Sequence, residues 1–327
     1  MFSIIAKSLT ALAALTLLAG PVLAQDSAAD YPNRPVTFVV PFPPGGPTDV
    51  IGRILAQGLS EAWDQPVVVE NRPGAGSIVG SNSVAQAEPD GYTMGLVITA
   101  HLINPAIRDD LPYNTLEDFS PVTQVGLSQV VLLASPELEA NNLEELVALA
   151  KERPGELGYA IVGGIGSMTH LAGVMLEDAA GIDLNPIPYD GSGPAIIDVQ
   201  SNRVPLLFDL WGSARSHVEA GSLKVIANGS SIAIASQPDL DIIPEVYDGY
   251  EATSIQGVVM PAGVPRPILE KVSAALQEVI AGEEASASLR QYSIEPAPSS
   301  IEEWDETIRS SIERFTATAR SAGIAVE

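Results

Sequence analysis

Residues 36–57 read VTFVVPFPPGGPTDVIGRILAQ, and few folds can accommodate that order. Val36 to Val40 is an apolar, β-branched run, the composition of a buried strand. Pro41 ends it. The run Pro43-Pro44-Gly45-Gly46-Pro47 can neither prolong a strand nor carry helix hydrogen bonds. Thr48 or Asp49 is then placed to cap a helix whose apolar positions, Val50, Ile51, Ile54 and Leu55, recur at helical spacing. A strand that passes through a glycine loop into a capped helix leaves backbone N–H groups free at the positive helix end, a setting for an anion. The loop contains no Lys, which excludes the phosphate loop of nucleotide hydrolases.

Upstream, Lys7 precedes an apolar run over residues 8–20 and the small-residue site Val22-Leu23-Ala24. This pattern predicts a cleaved secretory signal over residues 1–24, with Gln25 as the first mature residue. The chain has no Cys, so neither a lipid-modified cysteine nor a disulfide is available. The mature protein is expected free in the periplasm, held together by core packing alone. The formal charge is -25, and loss of Lys7 with the signal takes it to -26. Such a surface repels nucleic acid and anionic membrane. An anionic ligand must therefore be held by local dipoles and hydrogen bonds against the field of the whole protein.

Short apolar strands alternate with amphipathic helices along most of the chain. A mature length of about 300 residues suggests two domains. The alternation predicts parallel, doubly wound sheets with ligand sites at the carboxyl ends of strands. Small or polar stretches at residues 126–129 and 228–231 are the expected crossovers. A break at Gly126-Leu127-Ser128 is expected to separate two short strands. The expected division is residues 25–126 plus 230–327 for domain I and 127–229 for domain II.

Three further strand-to-helix junctions resemble the first. One carries Asn71, Arg72, Gly74, Ala75, Gly76 and Ser77; the second Gly163, Gly164, Gly166, Ser167, Thr169 and His170; the third Asp190, Gly191 and Ser192. Four such loops in two domains predict a cleft lined by helix N-termini from both sides. A dinucleotide site at Gly74 to Gly80 is disfavoured. Its glycine spacing is off by one, and the next strand ends at Ile98-Thr99-Ala100 without the acid that holds a ribose hydroxyl. No cofactor is expected. There is no G-x-S-x-G elbow and no H-E-x-x-H, and His101, His170 and His217 lack metal-ligand spacing, so neither a catalytic set nor a metal site is expected. Asp49 reads as the organiser of its own loop rather than as an acid catalyst. His170 can touch a carboxylate or cap its helix. Asp190 and Asp209 are open: facing the cleft, they would repel an anion or bind an amino group. Arg53, a turn inside its helix, reads as a salt-bridge partner.

The order of motifs resembles one family closely. The chain carries Pro41-Phe42-Pro43-Pro44-Gly45-Gly46-Pro47-Thr48-Asp49, Glu70-Asn71-Arg72-Pro73-Gly74-Ala75-Gly76, Pro89-Asp90-Gly91-Tyr92, Gly166-Ser167 with His170, Pro188-Tyr189-Asp190-Gly191 and Pro261-Ala262-Gly263-Val264-Pro265. It is similar in this to the solute-binding proteins of tripartite tricarboxylate transporters, the Bug receptors. The resemblance implies a type II periplasmic binding protein: two doubly wound α/β domains joined by two crossing strands, closing on ligand like a flytrap. It implies a monomeric, non-enzymatic receptor for a small mono-, di- or tricarboxylate, aromatic acids included, which it delivers to membrane permease subunits. The loops at Phe42, Pro44, Gly45, Gly46, Thr48 and Asp49 and at Gly74, Ala75, Gly76 and Ser77 would hold one carboxylate, partly through ordered water. Gly164, Gly166, Ser167, Thr169 and His170, with Asp190 and Gly191, would meet the rest of the ligand; Asp209, in a stretch that matches no motif of the family, is a further candidate on its charge alone. Two alternatives stay open, a sensory receptor for the same acids and a secreted α/β enzyme acting on them.

Overall fold

The computed structural model describes residues 29–324; the expected signal segment lies outside them. β1 (Val36–Val40) leads into α1 (Pro47–Trp63), followed by β2 (Val67–Asn71), α2 (Ile78–Ala85), β3 (Thr93–Ile98) and α3 (Thr99–Ile107). After the long β4 (Phe119–Ala134) come α4 (Leu143–Glu152), β5 (Gly158–Val162), α5 (Met168–Ala180), β6 (Asn185–Tyr189) and α6 (Ser192–Gln200). Then follow β7 (Leu206–Leu210), α7 (Trp211–Glu219), β8 (Lys224–Asn228) and a single turn, α8 (Ile243–Val246). The chain closes with β9 (Thr253–Pro261), α9 (Arg266–Ala281), α10 (Glu283–Gln291), β10 (Glu295–Pro296) and α11 (Ile301–Ser321).

Two groups of strands share β4. In the first, β1 pairs in parallel with β2 and β3, β9 runs antiparallel to β3, and residues 119–129 of β4 run antiparallel to β9. In the second, β5 pairs in parallel with β6 and β7, and residues 130–134 of β4 run antiparallel to β7 and β8. The sheets are therefore mixed rather than wholly parallel. The βαβ units supply the parallel pairs, and the strands that link one group to the other run against them.

Both faces of each sheet are covered, and alternation along the strands decides which side chain goes where. Phe38, Met94, Leu96, Val258 and Met260 pack under α1 and α9 with Leu55 and Leu276, while Val39, Val97 and Val259 face α3 and α11 with Leu102 and Trp304. Burying a leucine such as Leu55 completely contributes about 1.5–3 kcal/mol, and it is fully buried here. The C-terminal helix opens on a Ser300–Glu303 capping box. Its Trp304 donates Nε1–H to the Val258 carbonyl at 3.1 Å. No described helix is long and apolar enough to cross a membrane.

Three differences from the sequence reading matter. The expected break at Gly126 is continuous strand. A Cβ there would lie 2.6 Å from Ile294 and 2.8 Å from the Glu295 carbonyl, so this glycine permits the close approach of β10 rather than a turn. The return expected at residues 228–231 comes later. Ile243, Tyr250 and Ala252 still pack in the core of the second sheet, Ile234 packs on its other face, and pairing with the first sheet resumes at Thr253. Finally, α3, α7 and β9 were not expected. α3 follows β3 without a polar loop and contains Pro105, so no start signal separates strand from helix.

Candidate functional site

The first loop is held by one carboxylate. The N-cap of α1 is Gly46, with Pro47 at the first helical position, rather than the expected Thr48 or Asp49; proline suits that place because its missing N–H is not needed there. Asp49 lies inside the first turn and is 2 % exposed. Its Oδ2 accepts hydrogen bonds from the Gly45 N–H at 2.9 Å and from Arg53 Nε at 2.8 Å, and its Oδ1 accepts one from Asn71 Nδ2 at 2.8 Å. Asn71 Nδ2 also donates to the Phe42 carbonyl at 2.9 Å. The Arg53 guanidinium, helped by the Gly45 N–H and Asn71, outweighs burial and holds the Asp49 carboxyl down to about 2. Asp49 is thus an ionised brace whose hydrogen bonds all point back into the protein.

The second loop is strained. Gly74, Ala75, Gly76 and Ser77 have φ of 142°, 46°, 61° and 78°, four successive residues in the left-handed half of conformational space. Ala75 and Ser77 pay for this as residues with a Cβ. Asn104 Nδ2 from α3 donates to the Gly76 carbonyl at 3.2 Å and ties the turn to the neighbouring helix.

The third loop braces itself through hydroxyls and one imidazole. Ser167 caps α5, accepting from the His170 N–H at 3.3 Å. Thr169 Oγ1 accepts from the Val162 N–H at 2.9 Å, donates to the Val162 carbonyl at 2.9 Å, and meets Ser167 Oγ at 3.0 Å. The Gly166 N–H donates to His170 Nδ1 at 3.0 Å. That bond needs an unprotonated Nδ1, and burial lowers the His170 pKa, so the ring is neutral. Gly166, at φ +82°, would place a Cβ 2.5 Å from Ile107 Cδ1. A side chain here would displace Ile107, and the positive φ itself favours glycine.

These loops surround a cavity of about 460 Å³. Of the expected residues, Phe42, Ala75, Gly76, Gly166, Ser167, Thr169 and Asp209 line it. Gly74 and Ser77 flank it without lining it. Pro44, Gly45, Gly46, Thr48, Asp49 and Gly164 do not line it. Asp190 is exposed and, with Gly191, lies outside the lining. His170 faces hollows beside Ala322 at the end of α11 instead, because its ring is turned to the Gly166 N–H. The wall that sequence reasoning missed is α3: Thr99, Asn104, Ile107 and Arg108 all line the cavity. Arg108 also faces Asp110 at 3.9 Å. Arg108 and Asp209 are the two charged side chains of the lining. Asp209 is buried, and burial pushes its carboxyl up to about 6 against the pull of Ser192 and the Leu210 N–H. Among the described residues no group of three His, Asp or Glu side chains is arranged to hold a metal.

A protein-family model described as the tripartite tricarboxylate transporter family receptor, TctC, matches residues 51–324. The chain belongs to that family. Protein BugT of Bordetella pertussis is 33 % identical to this receptor over 312 residues, covering 94 % of this chain and 93 % of BugT. The structure of R. palustris Rpa4515 with adipate superposes with a TM-score of 0.77 at 29 % identity, covering 91 % of this chain and all of that one. MatC from Rhodopseudomonas palustris with bound malate gives 0.71 at 26 % identity, covering 88 % and 99 %. The fold is accordingly that of the periplasmic binding proteins, and the family is one of solute receptors.

Proposed function

We propose that this receptor captures a small organic carboxylate in the cavity between its two sheets and delivers it to the membrane permease subunits of a tripartite transporter. The observation that carries the reading is the cavity wall. Left-handed backbone at Ala75 and Gly76 and the helix starts at Thr99 and Ser167 converge on it with Arg108, a donor-rich setting for an anion. Its volume lies within the range of about 300–1,000 Å³ common to small-molecule sites. The adipate and malate bound by the two structural neighbours agree with this class of ligand. The protein acts by binding rather than by turnover, as a monomer in the periplasm once its signal is removed. The two lobes meet along β4 and at the entry to β9. Bending there would close the cavity and form the surface that the permease reads.

Isothermal titration against mono-, di- and tricarboxylates tests this, with mass spectrometry of the recovered acid. Saturable binding of at least one acid, recovered unchanged, is expected. Saturation by neutral sugars with silence across the acids would overturn the reading, and a chemically altered acid would make the protein an enzyme.

A further inference from the structure

Asp209 is the charged group of the cavity that carboxylate capture leaves without a task. It is 2 % exposed, near the carboxyl end of β7, opposite Val131 of β4. Its Oδ1 accepts the Leu210 N–H at 2.7 Å, whereas its Oδ2 makes no hydrogen bond of normal geometry, the nearby Ser192 hydroxyl only easing its charge. A buried carboxylate oxygen without a donor is costly, and this one belongs to the cavity wall, beside the hydroxyl-bearing Ser192 and Ser213. A bare ligand carboxylate placed against it would meet a like charge. The anion-binding parts, Arg108 and the loop at Ala75 and Gly76, come from other elements. The cavity is therefore bipolar, with a cation and backbone donors in one part and an acceptor in another.

We propose that Asp209 Oδ2 accepts a hydrogen bond from the ligand, so that the acids this receptor takes carry a donor, a hydroxyl or an ammonium group, in addition to a carboxylate. The inference rests on the carboxylate-receptor reading and narrows it to hydroxy and amino acids. A hydrogen bond to a buried charged group is worth roughly a tenfold to hundredfold difference in affinity.

The test is calorimetric titration with sets of acids matched in carbon skeleton: succinate, malate and aspartate, then propionate, lactate and alanine, then glutarate, 2-hydroxyglutarate and glutamate. A donor-bearing acid should bind the wild type at least tenfold more tightly than its unsubstituted parent, and the set shows whether hydroxyl or ammonium is preferred. In Asp209→Ala that advantage, taken as the ratio of the two Kd values measured in the same variant, should fall below threefold. Asp209→Asn keeps the shape of the site and turns an amide N–H towards the ligand, so it should abolish any ammonium preference even if the alanine variant fails to fold. Equal Kd values across a set in the wild type, or a donor preference that survives substitution, would overturn the inference and leave the carboxylate reading standing. Failure of every acid to bind would remove both.

Discussion

Asp49 and Asp209 are equally buried, and their surroundings drive them in opposite directions. Asp49, held down to about 2 by Arg53, is ionised in the folded protein while the unfolded chain titrates at 3.8. It contributes stability that is fully present above that value and is lost as pH falls towards 2. Asn at this position removes the charge from three hydrogen bonds and should cost about 1–3 kcal/mol at neutral pH, measured by urea denaturation; an unchanged midpoint would refute its bracing role. Asp209 works in the other sense. Burial raises it to about 6 from 3.8, so its contribution is full below the unfolded value and lost as pH rises through 6. The stability of Asp209→Asn relative to the wild type should accordingly grow by about 2 kcal/mol between pH 4 and pH 7. Parallel pH profiles for the two proteins would contradict that. The role of Asp49 was legible because its loop partner Gly45 lies four residues away. Its partner Asn71 lies 22 residues away, and only the pairing of β1 with β2 brings the two together.

At the scale of elements, the third loop depends on a glycine for two independent reasons, positive φ and the proximity of Ile107. Gly166→Ala should cost about 1–3 kcal/mol. Adding Ile107→Ala should recover the part due to the clash and not the part due to φ; full recovery in the double variant would show that conformation plays no role. The C-terminal helix is anchored by Trp304, whose ring lies against Gly257 and whose N–H is bonded to Val258. Trp304→Ala should cost about 3–5 kcal/mol, and a loss below 1 kcal/mol would mean that the helix is held elsewhere. Helices with a polar loop before them, such as α1 and α5, were legible from their loops and apolar spacing. α3 was not, because β3 and α3 form one apolar run and the change from strand to helix is imposed by packing against α11.

For the whole molecule, a formal charge of -25 opposes the approach of an anion, and the local donors must overcome that field at short range. Raising ionic strength from about 10 mM to about 150 mM shortens the Debye length from about 30 Å to about 8 Å. The association rate of a carboxylate should therefore rise several-fold, the reverse of electrostatically steered capture. Stopped-flow fluorescence would measure it, and a rate that falls with salt would place a local positive field in control. Closure about β4 and the start of β9 should appear as a smaller radius of gyration on saturation with ligand, read by X-ray scattering; an unchanged radius would argue for a cavity that is already closed.

Alone, the amino-acid sequence determined the βα alternation, the glycine-rich strand-to-helix loops, the anion-compatible chemistry of those loops and the family that carries them. These are local properties: period, turn chemistry and caps act over a few residues. Tertiary structure alone decided which loop residues face the cavity and which brace it, that His170 turns away, that α3 brings Arg108 to the wall, and that Asp209 is buried with one oxygen unpaired. Each depends on approach between segments far apart in the chain. Burial and orientation set the charge and the free valences of a side chain, and spacing along the sequence does not encode them.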